Sequence, residues 1–202
     1  MTVDTSRAAK QPPKSGQLLI IDFLYLDLTT CTRCRGTDRS LQAGLAAAAD
    51  LLTAAGVEVE VRKVQIQSEA EARAWRFVSS PTIRINGSDI ALELRESSCG
   101  SEACADGCGD HIACRVWAFG NREYTEPPVE LIVDAVLRHV YEPLSHQVED
   151  RPYQLPENLR RFFAGRPAAA TAGCCPAAEQ DTCCGAEDKA GCCTEAEGCG
   201  CR

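Results

Sequence analysis

Apolar residues follow two different periods along this chain. LLIIDFLYL at 18–26 is apolar almost without a break, as expected of a strand buried on both faces, and VEVEVRKVQI at 57–66 alternates like a strand with one face in water. Between them, over 38–55, Leu41, Leu45, Ala48, Leu51 and Leu52 recur at helical spacing, and Gly56 stops the helix. Ser68 then opens a second helix as its N-cap, with Glu71 completing a capping box and an end expected near Val78. Ser80-Pro81 precedes a short strand, Thr82–Ile85, and the Asn86-Gly87 hairpin signal returns the chain along 89–94. A cysteine-rich loop fills 97–114. One more strand follows over 115–119 with Gly120-Asn121 as its turn, and Pro127-Pro128 begins a helix whose Val129, Ile132, Val133, Val136, Leu137 and Val140 form an apolar stripe.

The flanks lack such periods. Residues 1–16 are polar with Pro12, Pro13 and Gly16, the composition of a disordered lead-in. Residues 143–166 form a Pro-interrupted linker, in which 156–164 can make a short helix that docks Leu159, Phe162 and Phe163. From Arg166 onward nothing bulky and apolar remains, so the segment 167–202 cannot bury enough surface to fold unaided. The pattern therefore predicts one α/β domain at 17–142, in the order β-α-β-α-β-β-α, with a disordered cysteine-rich C-terminal tail. Trp75, Trp117, Phe23 and Phe119 are expected in its core, and His139 and His146 are given no role.

That tail changes the picture most. Adjacent pairs Cys174-Cys175, Cys183-Cys184 and Cys192-Cys193 recur every nine residues, and Cys199 and Cys201 close the run. Neighbouring α-carbons are about 3.8 Å apart, below the roughly 4.4–6.8 Å of an unstrained disulfide, so the partners of a doublet rarely bridge each other. Thiolate is the ligand of soft and borderline metals, and Glu179, Asp181, Glu187, Asp188, Glu195 and Glu197 add attraction for a cation. A random cysteine bias would not hold this register.

The 202 residues carry a net charge of −8 with no basic cluster, which argues against nucleic acid as a partner. Asp22 interrupts the apolar run at 18–26, Asp27 ends it and no small-residue cleavage site follows, so it is not read as a signal peptide. No run approaches the ~18 apolar residues of a membrane span, and the unbridgeable doublets suit a reducing compartment. A cytoplasmic location without membrane contact is expected.

Cys31-Thr32-Arg33-Cys34 follows the first strand and heads the first helix, where a helix N-terminus stabilises a thiolate and the spacing lets two sulfurs meet. Gly36 weakens that first turn. In this strand–helix order the motif reads as a redox pair. With Ser80-Pro81-Thr82 before the third strand, the order over about 17–142 resembles the thioredoxin and glutaredoxin fold. Together with Ser80-Pro81-Thr82-Ile83, Ser98-Cys99 and Cys114-Arg115-Val116-Trp117, it is similar to a thioredoxin-like bacterial family with a domain of unknown function. The tail resembles a metallothionein. The resemblance implies that Cys31 is the attacking thiol, that Cys34 is the resolving one, and that a cis Pro81 lies against the pair and shapes the substrate groove.

Cys99, Cys104, Cys108 and Cys114, with His111 among them, could make a four-sulfur zinc site, although their spacings do not match the paired pattern of zinc ribbons. Cys99 could instead pass a disulfide to or from Cys31-Cys34, or the loop could simply hold spare thiols or a disulfide. The leading expectation is a thiol-based handler of a soft metal or metalloid, with As(III) or Hg(II) favoured and Zn(II) or Cd(II) also accepted. A thiol–disulfide oxidoreductase that uses the tail as a relay, served by a thioredoxin or a low-molecular-weight thiol, is the first alternative. Storage without turnover is the second.

Overall fold

The computed structural model describes residues 16–91, 93–98, 112–142 and 152–165. Among them it is a mixed α/β structure with four helices and two sheets. Strand β1 (Gln17–Tyr25) is followed by helix α1 (Thr32–Ala54), β2 (Val57–Gln65), α2 (Glu69–Ala74), β3 (Thr82–Ile85) and β4 (Ser88–Asp89). The chain continues through β5 (Arg95–Ser98), β6 (Ala113–Phe119), β7 (Arg122–Tyr124), α3 (Val129–Tyr141) and α4 (Glu157–Gly165).

The first sheet has the order β2-β1-β3-β4, with β1 parallel to β2 and antiparallel to β3, an arrangement compatible with a thioredoxin-like fold. The continuous apolar run belongs to an interior strand of this sheet, and its side chains enter two apolar clusters, Leu19, Ile21 and Phe23 one and Leu24 the other. Asp22, which interrupts the run, is buried, and its carboxylate accepts a 2.7 Å bond from Arg62, its register partner on β2. β2 forms one border and exposes Glu58, Glu60, Val61, Arg62 and Lys63. β4 forms the other and is only two residues long.

Asn86 and Gly87 turn the β3–β4 hairpin at φ +50 and +82°, the left-handed pair that such a tight turn requires. The returning strand stops at Asp89 rather than running to residue 94, because the Asp89 side chain turns to other partners. It accepts the Ala91 N–H at 3.0 Å and two bonds from Arg115 at 2.8 and 2.7 Å. Arg115 is 1% exposed on β6, so this paired fork ties the second sheet, β5-β6-β7, to the first.

α1 begins at Thr32, six residues before the start of its apolar period, with Cys31 as its N-cap, so the CxxC motif stands at its head. Leu41, Ala48 and Leu52 face the core, Leu45 is half-buried, and Leu51 lies on the solvent face. α2 ends at Ala74 instead of near Val78 for two reasons. Arg76 takes a left-handed φ of +46°, and Arg84 of β3 donates to the Trp75 and Arg76 carbonyls at 2.6 and 2.8 Å. The turn drives Phe77 into the interior, where it is fully buried. Ser68 caps α2 as expected, but the Glu71 carboxylate reaches the Gln67 N–H, one residue before the cap.

Two apolar clusters result. One lies between the first sheet and the helix pair α1 and α3, and includes Phe23, Ile83, Trp117, Ile132 and Val136. Gly44 is the contact point of that pair: a Cβ there would meet Ile132 Cγ2 at 2.6 Å and Cβ at 2.8 Å. The branch atom of a β-branched residue cannot swing aside, so Gly44→Val should destabilise the protein by about 1–3 kcal/mol through overpacking. Urea unfolding of the variant beside the wild type measures the loss, and an unchanged midpoint would refute the close approach.

Candidate functional site

The second cluster holds the cysteines. Leu24 and Leu26 at the end of β1, Phe77 after α2, Ile112 and Cys114 at the start of β6, and Leu155, Leu159 and Phe162 at α4 form it together with Cys31 and Cys34. Cys31 is 1% exposed and Cys34 0%.

The backbone reaches this point through a turn built on Asp27. Its carboxylate accepts the Thr29 and Thr30 N–H groups and both threonine hydroxyls. Burial alone would raise the Asp27 carboxyl, but these four bonds outweigh it and hold the group below its usual range. The turn sets Cys31 as the N-cap of α1, where its Sγ accepts the Cys34 N–H at 3.3 Å. Sulfur thus occupies the place usually given to a serine or aspartate oxygen.

Cys34 differs from Cys31 in its surroundings. Its Sγ lies 3.4 Å from the Ser80 hydroxyl, which also accepts the Leu26 N–H at 3.1 Å. The hydrogen bond to Cys31, burial and the Cys31 charge push the Cys34 thiol far above its ordinary value, while the Ser80 hydroxyl and the Asp27 backbone N–H pull weakly the other way. Ser80 and Pro81 are joined by a cis peptide bond, and both are buried.

Arg33, between the two cysteines, is also buried. Its guanidinium donates to the carbonyls of Ser97, Ser98 and Cys114 at 3.4, 2.9 and 3.2 Å and to the Ser97 hydroxyl at 3.1 Å. It ties the paired ends of β5 and β6 to the first turn of α1. A Cβ at Gly36 would fall about 2 Å from the Glu126 carboxyl group, the far end of a part-exposed side chain that can swing aside.

The structure therefore brings Cys31, Cys34, Ser80, Pro81 and Cys114 to one region. Cys114 is a buried strand residue, so it stands in the core rather than in the loop with which it had been grouped. Cys99, Cys104, Cys108 and all eight tail cysteines from Cys174 to Cys201 lie outside the described residues. Among the described residues no group of three or more His, Cys, Asp or Glu side chains is arranged to hold a metal ion. No described helix is long and apolar enough to cross a membrane. An open cleft of about 410 Å³ bordered by Ile90, Arg95, Phe119 and Arg138 contains no thiol among its lining residues.

Arg33, Ser80 and Asp27 escaped the reading of the sequence as site residues. Each had a local sign: a place inside the motif, a place before Pro81, and a carboxylate two and three residues before threonines.

The family described as Domain of unknown function (DUF2703) matches residues 19–136. The chain belongs to that family. The DUF2703 match takes in Cys31, Cys34, Pro81 and Cys114 and stops within α3, leaving α4 and the cysteine doublets beyond it. No curated protein and no solved structure matches the chain.

The raised Cys34 thiol has a consequence for stability. An unfolded chain releases that proton near the usual thiol value, whereas the folded chain keeps it to higher pH. Rising pH above about 8.5 therefore favours unfolding. The reduced protein should lose roughly 1 kcal/mol per pH unit above that point, and the slope should flatten in Cys34→Ala. Denaturant midpoints from pH 7 to about 10 measure it, and equal slopes in the two proteins would overturn the assignment.

Proposed function

We propose that this protein binds a soft metal or metalloid ion through thiols, with a thioredoxin-like domain presenting Cys31 and Cys34 and the cysteine doublets holding further ions. The observation that carries the reading is the unlike pair at the head of α1. One sulfur caps a helix N-terminus, where a thiolate is stabilised, and the other is kept protonated against it. The β2-β1-β3-β4 order and the cis Ser80-Pro81 bond near the pair support the thioredoxin-like assignment. Two thiolates suit a linear ion such as Hg(II), and successive doublets nine residues apart would supply the three sulfurs that suit As(III). Zn(II) and Cd(II) are accepted by the same donors.

The same asymmetry favours a second reading, thiol–disulfide exchange. Cys31 thiolate attacks a disulfide and releases one thiol. Cys34 then gives up its proton and displaces the mixed disulfide, which releases the second thiol and leaves a Cys31–Cys34 disulfide. A thioredoxin or a low-molecular-weight thiol supplies the two electrons that reset the pair.

Native mass spectrometry of anaerobically reduced full-length protein, titrated with As(III), Hg(II), Zn(II) and Cd(II), tests these readings. Several As(III) or Hg(II) ions should bind. Most should be lost when the eight cysteines from Cys174 onward are changed to serine, and about one more in Cys31→Ser/Cys34→Ser. Loss confined to the tail variant would mark storage without a part for the CxxC pair. Exchange with a small disulfide that vanishes in Cys31→Ser, without ion uptake, would establish the second reading.

A further inference from the structure

Two cysteines suited to react with a ligand are here almost wholly sealed from it. The chain itself supplies the seal. Ile112 just before β6 and Cys114 within it lie in the cysteine cluster, and the Arg115 N–H donates to the Ser80 carbonyl at 2.8 Å. An extended polypeptide docks on a sheet through free main-chain groups. At Ser80 the carbonyl is taken by Arg115, and the hydroxyl is engaged by Leu26 and Cys34.

Against β6 lies the segment 153–163. It buries Leu155, Leu159 and Phe162 in the cluster. The Asn158 side chain grips β6, donating to the Ala113 carbonyl at 2.6 Å and accepting its N–H at 3.0 Å. The Tyr153 hydroxyl donates to the Phe77 carbonyl. A nine-residue helix such as α4 is marginal by itself in water, so these few contacts keep it in place. Releasing it is a local opening that leaves both sheets intact, and such openings take far less free energy than global unfolding.

We propose that residues 153–163 are a strap over Cys31 and Cys34, and that its release admits small thiophilic species while β6 continues to exclude polypeptide disulfides. The substrate class is then a single soft ion or a low-molecular-weight thiol or disulfide. The chemistry rests on the thiol reading above; the strap rests on geometry alone.

Site-resolved mass spectrometry of the full-length reduced protein tests both parts. The proteins are the wild type, Leu159→Ala/Phe162→Ala and the milder Asn158→Ala, each checked for folding by circular dichroism. Iodoacetamide should alkylate Cys31 at least tenfold faster in the double variant and several-fold faster in Asn158→Ala, with the tail cysteines modified at one rate in all three. Equal Cys31 rates in all three proteins would overturn the strap. In the double variant, bis(2-hydroxyethyl) disulfide should oxidise the Cys31–Cys34 pair at least tenfold faster than insulin does, and comparable rates would overturn the exclusion of polypeptides. Accelerated alkylation with no oxidation by either disulfide would keep the strap and overturn disulfides as substrates.

Discussion

The leading N–H groups of a buried helix must find acceptors, and in this chain a cysteine sulfur supplies one. That substitution organises the region around it. Because Cys31 must stand at the cap, β1 has to end in the tight Asp27 turn. Because Cys34 follows one turn later inside the protein, its sulfur needs the Ser80 hydroxyl and an apolar enclosure. Neutral thiols are at home in such an enclosure, whereas a thiolate is not. The electrostatics of the helix end and the burial of the pair therefore oppose each other.

Periodicity made much of this fold readable. β1 and β2 declared themselves through a continuous and an alternating run, α3 through its stripe, and the hairpin through Asn86-Gly87. What escaped was set by contacts distant in sequence. β5, RESS, and β7, REY, carry no apolar period and are strands only because β6 lies beside them. No local signal marked the early end of α2, since the carbonyls that terminate it are taken by Arg84 of β3. The head of α1 was legible from the CxxC motif but not from the apolar period, because its buried residues before Leu41 are Arg33, Cys34, Gly36 and Thr37.

The site was legible to a similar depth. A CxxC ahead of a helical period is a local statement, and so is a proline before a short strand. The burial of Arg33 could not be seen, because a guanidinium inside a protein depends on carbonyls that only the folded β5–β6 hairpin provides. The docking of α4 could be read from Leu159 and Phe162, but not its address. The DUF2703 match takes in Cys31, Cys34 and Cys114 and ends before that helix, so the buried cysteines and the helix that joins their apolar cluster come from different parts of the chain.

The borders of the first sheet bear on the behaviour of so thiol-rich a chain, with its 14 cysteines. Unpaired strand edges invite a second copy to add on. β2 meets that invitation with charged residues, and β4 is too short to serve as a template. Disulfides between molecules form when two sulfurs dwell side by side, and blunted borders keep collisions between copies brief. Borders of this kind disfavour strand addition between copies, which is one way that sulfurs of two molecules would be held together.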